Sequence, residues 1–345
     1  MKPFFKSTIE GLGYFLPERV VKNSELEKIM DTSDAWITER TGIKERRWVE
    51  EGTTTSQIGA EAIKDLLHKT KVPAEEIDLI IATTLSPDYF FPGIGTMIQH
   101  RLGLRNIGAI DLRTQCSGFT YGLATADAFL RTGTYRNVVL IGSEVQSPVL
   151  DKTRRGRDVA VLFGDAAAAV LISSSEVSDP SKLPSAHNSE RGIIDSIMGS
   201  DGSGAEILMI RTPGVATKGF VEAPNLTDGS TRPHMEGKTV FKNAVTRMIE
   251  VATQILERNK LQPSQIDLVI PHQANLRINE FVTDKLGIAP EKVFNNIQKY
   301  GNTTSATIPL CMAEAEEAGK LKKGDLVLTL SFGAGFTWGA NLIRW

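Results

Sequence analysis

Cysteine is nearly absent: Cys116 and Cys311 are the only two in 345 residues. Two thiols cannot build a disulfide framework, and neither belongs to a CxxC pair. None of the five histidines belongs to an HExxH, so no metal-site motif is legible. An excess of charge of one sign is also missing. Lys+Arg 39 against Asp+Glu 41 leaves a formal net charge of −2, without the basic excess that marks nucleic-acid binding. The longest purely apolar run, Ala166 to Ile172, falls far short of the roughly 20 residues that span a bilayer. The opening MKPFFKSTIEGLGYF lacks the continuous apolar region and small-residue cleavage site of a secretory signal. The expectation is a cytoplasmic chain with no membrane insertion and no nucleic-acid partner. It is long enough for two domains or one large one.

Short apolar runs alternate with helical patterns. Ile77–Thr84, Val138–Gly142 and Val159–Phe163 read as buried strands, and Ser56–Lys69 as an amphipathic helix that the preceding threonines can cap. Buried strands separated by helices predict α/β layers around a mostly parallel sheet. The order of segments then repeats. IDL at 77–79 recurs at 266–268, an offset of 189, and NVVL at 137–140 is matched by DLVL at 325–328, an offset of 188. TQCSGFTYGLATADAFLRTG is matched by NTTSATIPLCMAEAEEAG, and FGDAAAAVLI (163–172) by FGAGFTWGANLI (332–343). One order at a near-constant offset predicts two copies of one α/β unit about a pseudo-twofold axis. The halves are placed at 1–174, carrying Cys116, and 175–345, carrying His272 and Asn302. The stretch 175–238, rich in Ser, Gly, Pro and Asn, reads as a loop-rich excursion.

Cys116 lies between the strand-like IGAIDL and the apolar spacing of a buried helix, GFTYGLATADAFL. A thiol at a helix N-terminus faces backbone N–H groups and the positive end of the dipole, which stabilise a thiolate nucleophile. A small buried hydrophobe is the plainer reading, since free cysteine is among the most buried residue types. Cys311, inside SATIPLCMAEAEEAG, reads as core. His272 directly follows a strand-like run ending at Pro271, and strand ends are where open α/β sheets bind ligands. A structural histidine is the alternative there. Asn302 falls at the repeat position that approaches Cys116, although Asn before TTSA also caps a helix well. Gly333-Ala334-Gly335, after LVLTLSF, forms a turn able to offer backbone N–H donors to an oxyanion. Gly11-Leu12-Gly13 lacks the third glycine of a dinucleotide fingerprint, Leu16 standing there, so a nicotinamide cofactor is excluded. Arg154, Arg155 and Arg157 form a basic cluster suited to phosphates or to a solvated loop.

Taken together, these segments resemble one family. DTSDAWITERTGIKERR (31–47), CSGFTYGL, RRG followed by VLFGDAAAAVL, HMEGKTVFKNAV, VIPHQANLRI, YGNTTSATIPL and FGAGFTWGANLIRW carry the likeness, over nearly the whole chain. The family is β-ketoacyl-acyl carrier protein synthase III, the initiating condensing enzymes of type II fatty acid synthesis. The resemblance implies a thiolase-like α/β fold, with two pseudo-twofold halves in a layered αβαβα arrangement. It implies Cys116 as the acylated nucleophile, completed by His272 and Asn302, with the backbone N–H groups of Cys116 and Ala334 as oxyanion donors. Trp36, Arg40, Arg155 and Asn275 would bind coenzyme A. Phe91 would cross a homodimer interface to floor the partner's acyl pocket. Lys242, Arg277 and Lys285 would dock acyl carrier protein. Acyl-CoA and malonyl-acyl carrier protein are the implied substrates, with neither a metal nor a redox cofactor.

Three positions depart from the family pattern. Arg113-Thr114-Gln115 stands where small residues are common, Ala334 where Gly is usual, and Lys238 where Asn is usual. Two other readings stay open at this level. One is a related acyltransferase or a condensing enzyme of secondary metabolism with a different acceptor. The other is a non-catalytic acyl-binding or scaffold protein. A thiolase would need a second catalytic cysteine near FGAGFTWG, which has none.

Overall fold

Strands buried on both faces organise the molecule, and Leu79–Thr83, with every residue buried, is the clearest of them. The computed structural model describes residues 3–217 and 219–345, so one position of the 175–238 stretch lies outside the description. A five-stranded sheet contains β1 (Phe4–Phe15), β2 (Leu79–Thr83), β3 (Gly108–Leu112), β4 (Asn137–Glu144) and β5 (Ala166–Val177), in the order β1-β5-β4-β2-β3. A four-stranded sheet contains β6 (Gly192–Ser200), β7 (Leu268–Pro271), β8 (Leu326–Gly333) and β9 (Thr337–Arg344), in the order β7-β8-β9-β6.

The two sheets are copies. β2 and β4 pair in parallel with Leu79 opposite Val138, and β7 and β8 pair in parallel with Leu268 opposite Val327. Both residues of the first pair map onto the second at the same offset of 189 (79 to 268, 138 to 327). NVVL therefore aligns with 326–329, one residue beyond the match that letter similarity gave. The counterpart of β3 has shrunk to a single parallel bridge between Val269 and Val293.

Among the described residues, seven helices of eight residues or more complete the layers: α1 (Asp34–Thr41), α2 (Thr55–Thr70), α3 (Ile94–Arg101), α4 (Gly118–Arg131), α5 (Gly237–Arg258), α6 (Leu276–Lys285) and α7 (Thr307–Glu317). The Thr54 side chain accepts from Gln57 N–H while Gln57 Oε1 accepts from Thr54 N–H, a capping box that starts α2 where the threonine run placed it. Phe119 and Leu123 of α4 share one apolar cluster with Ile308 and Met312 of α7, with Leu79 and Leu140 of the first sheet, and with Leu268 and Val327 of the second. α4 and α7 thus lie between the sheets. α2 and α3 cover the outer face of the first sheet, and α5 and α6 that of the second. The result is the layered αβαβα arrangement, which sets the N-termini of two related helices side by side at its centre.

Three expectations fail. Parallel pairing is confined to β2–β3, β2–β4 and β7–β8, while β1–β5, β5–β4, β8–β9 and β9–β6 are antiparallel, so neither sheet is mostly parallel. Val159–Phe163 is not a strand: Arg157–Ala160 forms a short helix and only Phe163 makes a bridge, to Asn302. Short apolar runs do not separate strand from buried helix, and this one follows a 3-10 turn at Arg154–Gly156 that sets its direction. The stretch 175–238 is not all excursion either. It holds the end of β5 and all of β6, whose GIIDSIMGS alternates too weakly to be read as a strand.

Candidate active site

Cys116 sits on a 3-10 turn, Gln115–Ser117, between β3 and the first residue of α4. Gln115 adopts φ 44, and at the repeat-related position in the other half Thr304 adopts φ 46. Such left-handed backbone is uncommon outside glycine and is held by surrounding structure. Here it tips the thiol into a cavity. The backbone N–H groups of Cys116 and Ala334 are close enough to favour a thiolate there. Gly333 makes this approach possible, because a Cβ added there would meet the Cys116 Cβ at 2.8 Å.

The electrostatics differ from the simple helix-terminus expectation. Burial pushes the Cys116 thiol up to about 12, and the nearby Glu144 carboxyl adds to the rise. The two backbone N–H groups pull the other way but do not offset burial. The resting sulfur is therefore a protonated thiol. Glu144, at the end of β4, is itself buried and accepts from Ser305 Oγ of the repeat-related turn at 2.6 Å and from Leu85 N–H at 2.9 Å.

His272 follows β7, and its N–H donates to Leu330 O at 2.7 Å, extending the ladder by one residue. The ring is buried. Its Nδ1 lies 2.6 Å from Thr307 Oγ1, while Nε2 has no partner among the described residues. Burial pushes the imidazole down to about 3, so it is neutral at physiological pH. Asn302 is fixed by its own N–H to Leu162 O at 2.8 Å and by Oδ1, which accepts Thr304 N–H at 2.8 Å. That orientation leaves Nδ2 as a donor.

Cys116, His272, Asn302 and Gly333 line one cavity of about 690 Å³. Val240, Phe241, Ala244 and Met248 of α5 give it an apolar wall, while Trp36, Arg40, Lys238 and Arg277 also line it. The fold thus brings together the three side chains that sequence placed on three separate loops. A thiol beside two N–H donors, facing a neutral imidazole and an amide, is equipped to hold an acyl group and an adjacent enolate.

The remaining sequence candidates scatter. Arg155 does not face Trp36. Its Nε pairs with Asp151 at 2.7 Å and its Nη1 donates to Thr227 O at 3.0 Å. Arg157 and Arg40 lie against the Trp36 ring instead, each 4.8 Å from its centroid. The basic cluster was legible, but which of its arginines turns inward depends on the short helix starting at Arg157. Asn275 lines the cavity, yet its amide is already employed: it caps α6 at Arg277 N–H and donates to Arg40 O at 3.0 Å. Lys242, Arg277 and Lys285 are exposed on α5 and α6, and of the three only Arg277 lines the cavity. Phe91 is 80% exposed, on a loop with Tyr89 and Phe90, so it packs into no core of its own chain. Sequence reasoning gives Thr307 no role and gives Arg157 only a place in the basic cluster. No spacing signal marks the threonine, whose contact with His272 exists only in three dimensions.

Residues 110–202 match the family described as 3-oxoacyl-[acyl-carrier-protein (ACP)] synthase III, and residues 256–345 match its C-terminal part. A relative named beta-ketoacyl-[acyl-carrier-protein] synthase III in Solibacter usitatus is 42% identical over 340 residues, 99% of each chain. The protein of the same name in Clostridium acetobutylicum is 40% identical over 98% of each chain. The crystal structure of 3-oxoacyl-[acyl-carrier-protein] synthase III from Aquifex aeolicus superposes with a TM-score of 0.86 at 40% identity, covering 98% of this chain and 100% of that one. With likeness of this order running the length of both chains, the protein belongs to the 3-oxoacyl-[acyl-carrier-protein] synthase III family.

Proposed function

We propose that this condensing enzyme begins fatty acid synthesis by joining the acyl group of an acyl-CoA primer to malonyl-acyl carrier protein. A Cys116 thiolate, formed as the resting thiol passes its proton to solvent, attacks the thioester carbonyl of the primer, and the N–H groups of Cys116 and Ala334 hold the developing oxyanion. The carbon–sulfur bond to coenzyme A breaks and the acyl group stays on Cys116. Malonyl-acyl carrier protein then enters. Its thioester oxygen accepts hydrogen bonds from His272 Nε2–H and Asn302 Nδ2–H. The bond to the carboxylate breaks, carbon dioxide leaves, and the stabilised enolate carbon attacks the acyl carbonyl. Collapse releases the Cys116 thiolate and β-ketoacyl-carrier protein. Each step uses only groups of this chain, its two substrates and solvent, with no metal or redox cofactor.

One observation carries this reading: Cys116 lines the same cavity as His272 and Asn302, with the Gly333 turn packed against its Cβ and backbone nitrogen. Around it, Trp36 with Arg40 and Arg157 forms an aromatic and cationic platform for the nucleotide end of coenzyme A. The exposed cations Lys242, Arg277 and Lys285 offer an acidic carrier protein a complementary surface. A homodimer is part of the same reading. β3 is one of the two edge strands of the five-stranded sheet, and Tyr89, Phe90 and Phe91 stand exposed on the loop that precedes α3. Phe91 would then floor the partner's acyl pocket. A cytoplasmic location belongs to the same proposal, because a thiol nucleophile persists in a reducing compartment. Among the described residues no helix is long and apolar enough to cross a membrane. Incubation with acetyl-CoA should add one acetyl group to Cys116 by intact mass, and malonyl-acyl carrier protein should then discharge it with release of carbon dioxide. Absence of the covalent acetyl group would refute the reading.

A further inference from the structure

The two donors of the cavity are controlled by one short stretch, Thr304 to Thr307. Thr304 sits at φ 46, rare for a β-branched residue. There its N–H holds Asn302 Oδ1 at 2.8 Å, and its carbonyl lies 2.9 Å from Thr307 Oγ1. The same Thr307 Oγ1 lies 2.6 Å from His272 Nδ1. Thr307 and His272 are both buried, and the ring makes no other hydrogen bond among the described residues.

A hydroxyl has a single hydrogen to give. If it lies on the Thr304 carbonyl, Nδ1 must bring its own hydrogen to Oγ1, and a neutral ring then turns a bare Nε2 to the cavity. If it lies on Nδ1, the ring hydrogen sits on Nε2. Only the second arrangement supplies a donor to a thioester oxygen. The 2.6 Å contact forms with the hydrogen on either atom, and Thr307 Oγ1 can equally donate to the Thr304 carbonyl. A buried imidazole stays neutral and so holds one tautomer or the other, and the condensing-enzyme reading, which needs a donor at Nε2, selects the second.

We propose that Thr307 is a positioning residue that sets the tautomer of His272: its hydroxyl donates to Nδ1 and obliges Nε2 to carry the hydrogen used in decarboxylation. This rests on the condensing-enzyme reading above. Attack of Cys116 on the primer draws on the backbone N–H donors and not on Nε2–H. Loss of the Thr307 hydroxyl therefore separates the two half-reactions.

The test uses the full-length protein, acetyl-CoA and malonyl-acyl carrier protein. Thr307→Val keeps the volume but removes the hydroxyl, and Thr307→Ser restores it. In Thr307→Val, carbon dioxide release should fall about 10- to 100-fold, the effect of leaving a buried polar group unpaired, while acetylation of Cys116 stays within about twofold. Thr307→Ser should recover both. In wild-type protein labelled with ¹⁵N-histidine and assigned by difference against His272→Ala, Nδ1 should resonate as an unprotonated nitrogen and Nε2 as a protonated one. Equal loss of both half-reactions in a folded Thr307→Val, or no loss in either, overturns the assignment. So does a wild-type ring protonated on Nδ1, a measurement that stands even where the valine variant does not fold. Wild-type protein that neither takes up acetyl nor releases carbon dioxide refutes the condensing-enzyme reading itself, while the nitrogen spectrum still decides the tautomer.

Discussion

Gly333 packs so tightly on Cys116 that a Cβ added to the glycine would stand 2.8 Å from the cysteine Cβ and 3.0 Å from its backbone nitrogen. The contact joins the end of β8 in one half to the turn before α4 in the other. It holds the Ala334 N–H against the sulfur.

Gly333→Ala tests that contact. The added methyl has to push the 333–335 turn away from Cys116, at a cost of roughly 1–3 kcal/mol for an overpacked site. A lowered melting temperature is expected, together with a loss of about 10²-fold in single-turnover acetylation as one oxyanion donor is displaced. Unchanged acetylation in the folded variant would remove Ala334 from the oxyanion site.

The pH dependence of acylation follows from the buried thiol. Because burial pushes Cys116 up to about 12, thiolate is scarce near neutrality and becomes more abundant as pH rises. Acetylation measured by rapid-quench mass spectrometry should climb steadily between about pH 6 and 9, by nearly tenfold per unit for a rate limited by thiolate. His272, pushed down to about 3, adds no inflection near its ordinary value of about 6.5. A rate flat across that range would contradict the picture of a protonated resting thiol.

How much of this was legible in sequence follows from how local each feature is. The capping of α2, the turn carrying Cys116 and the duplication were readable because they rest on adjacent residues or on repeated order. The same holds for the strand end before His272, where Pro271 closes β7. The resemblance implies Arg155 beside Trp36 as a coenzyme A residue, whereas a short helix sets Arg157 against the Trp36 ring, a direction the cluster's composition does not carry. The expected low thiol pKa failed for a related reason. A helix N-terminus shows in sequence, whereas the burial that outweighs it depends on how the two halves close over the site.

Arg157 and Arg155 make a matched pair for coenzyme A binding. Arg157→Ala removes a guanidinium from the Trp36 ring and should raise KM for acetyl-CoA several-fold, a loss of about 1 kcal/mol, with kcat little changed. Arg155→Ala breaks its pair with Asp151 and should leave KM within about twofold. The reverse ranking would return Arg155 to the nucleotide site.

Phe91→Ala examines the proposed dimer and the primer it selects. If Phe91 floors the partner's pocket, truncation enlarges that pocket and shifts competition between short and medium acyl-CoAs toward the longer chain. Light scattering should still report a dimer, since Tyr89, Phe90 and β3 remain. An unchanged selectivity profile in a folded dimer would take Phe91 out of the pocket.

The central claim is that Cys116 carries the acyl group while His272 and Asn302 act in decarboxylation. The most direct measurement follows both half-reactions in Cys116→Ala, His272→Ala and Asn302→Ala, with acetyl uptake read by intact mass and carbon dioxide release read from malonyl-acyl carrier protein. Cys116→Ala should take up no acetyl group. The other two should be acetylated at near wild-type rates yet lose decarboxylation by about 10²-fold or more. Acetyl uptake by Cys116→Ala, or decarboxylation that survives in both His272→Ala and Asn302→Ala, would contradict the account.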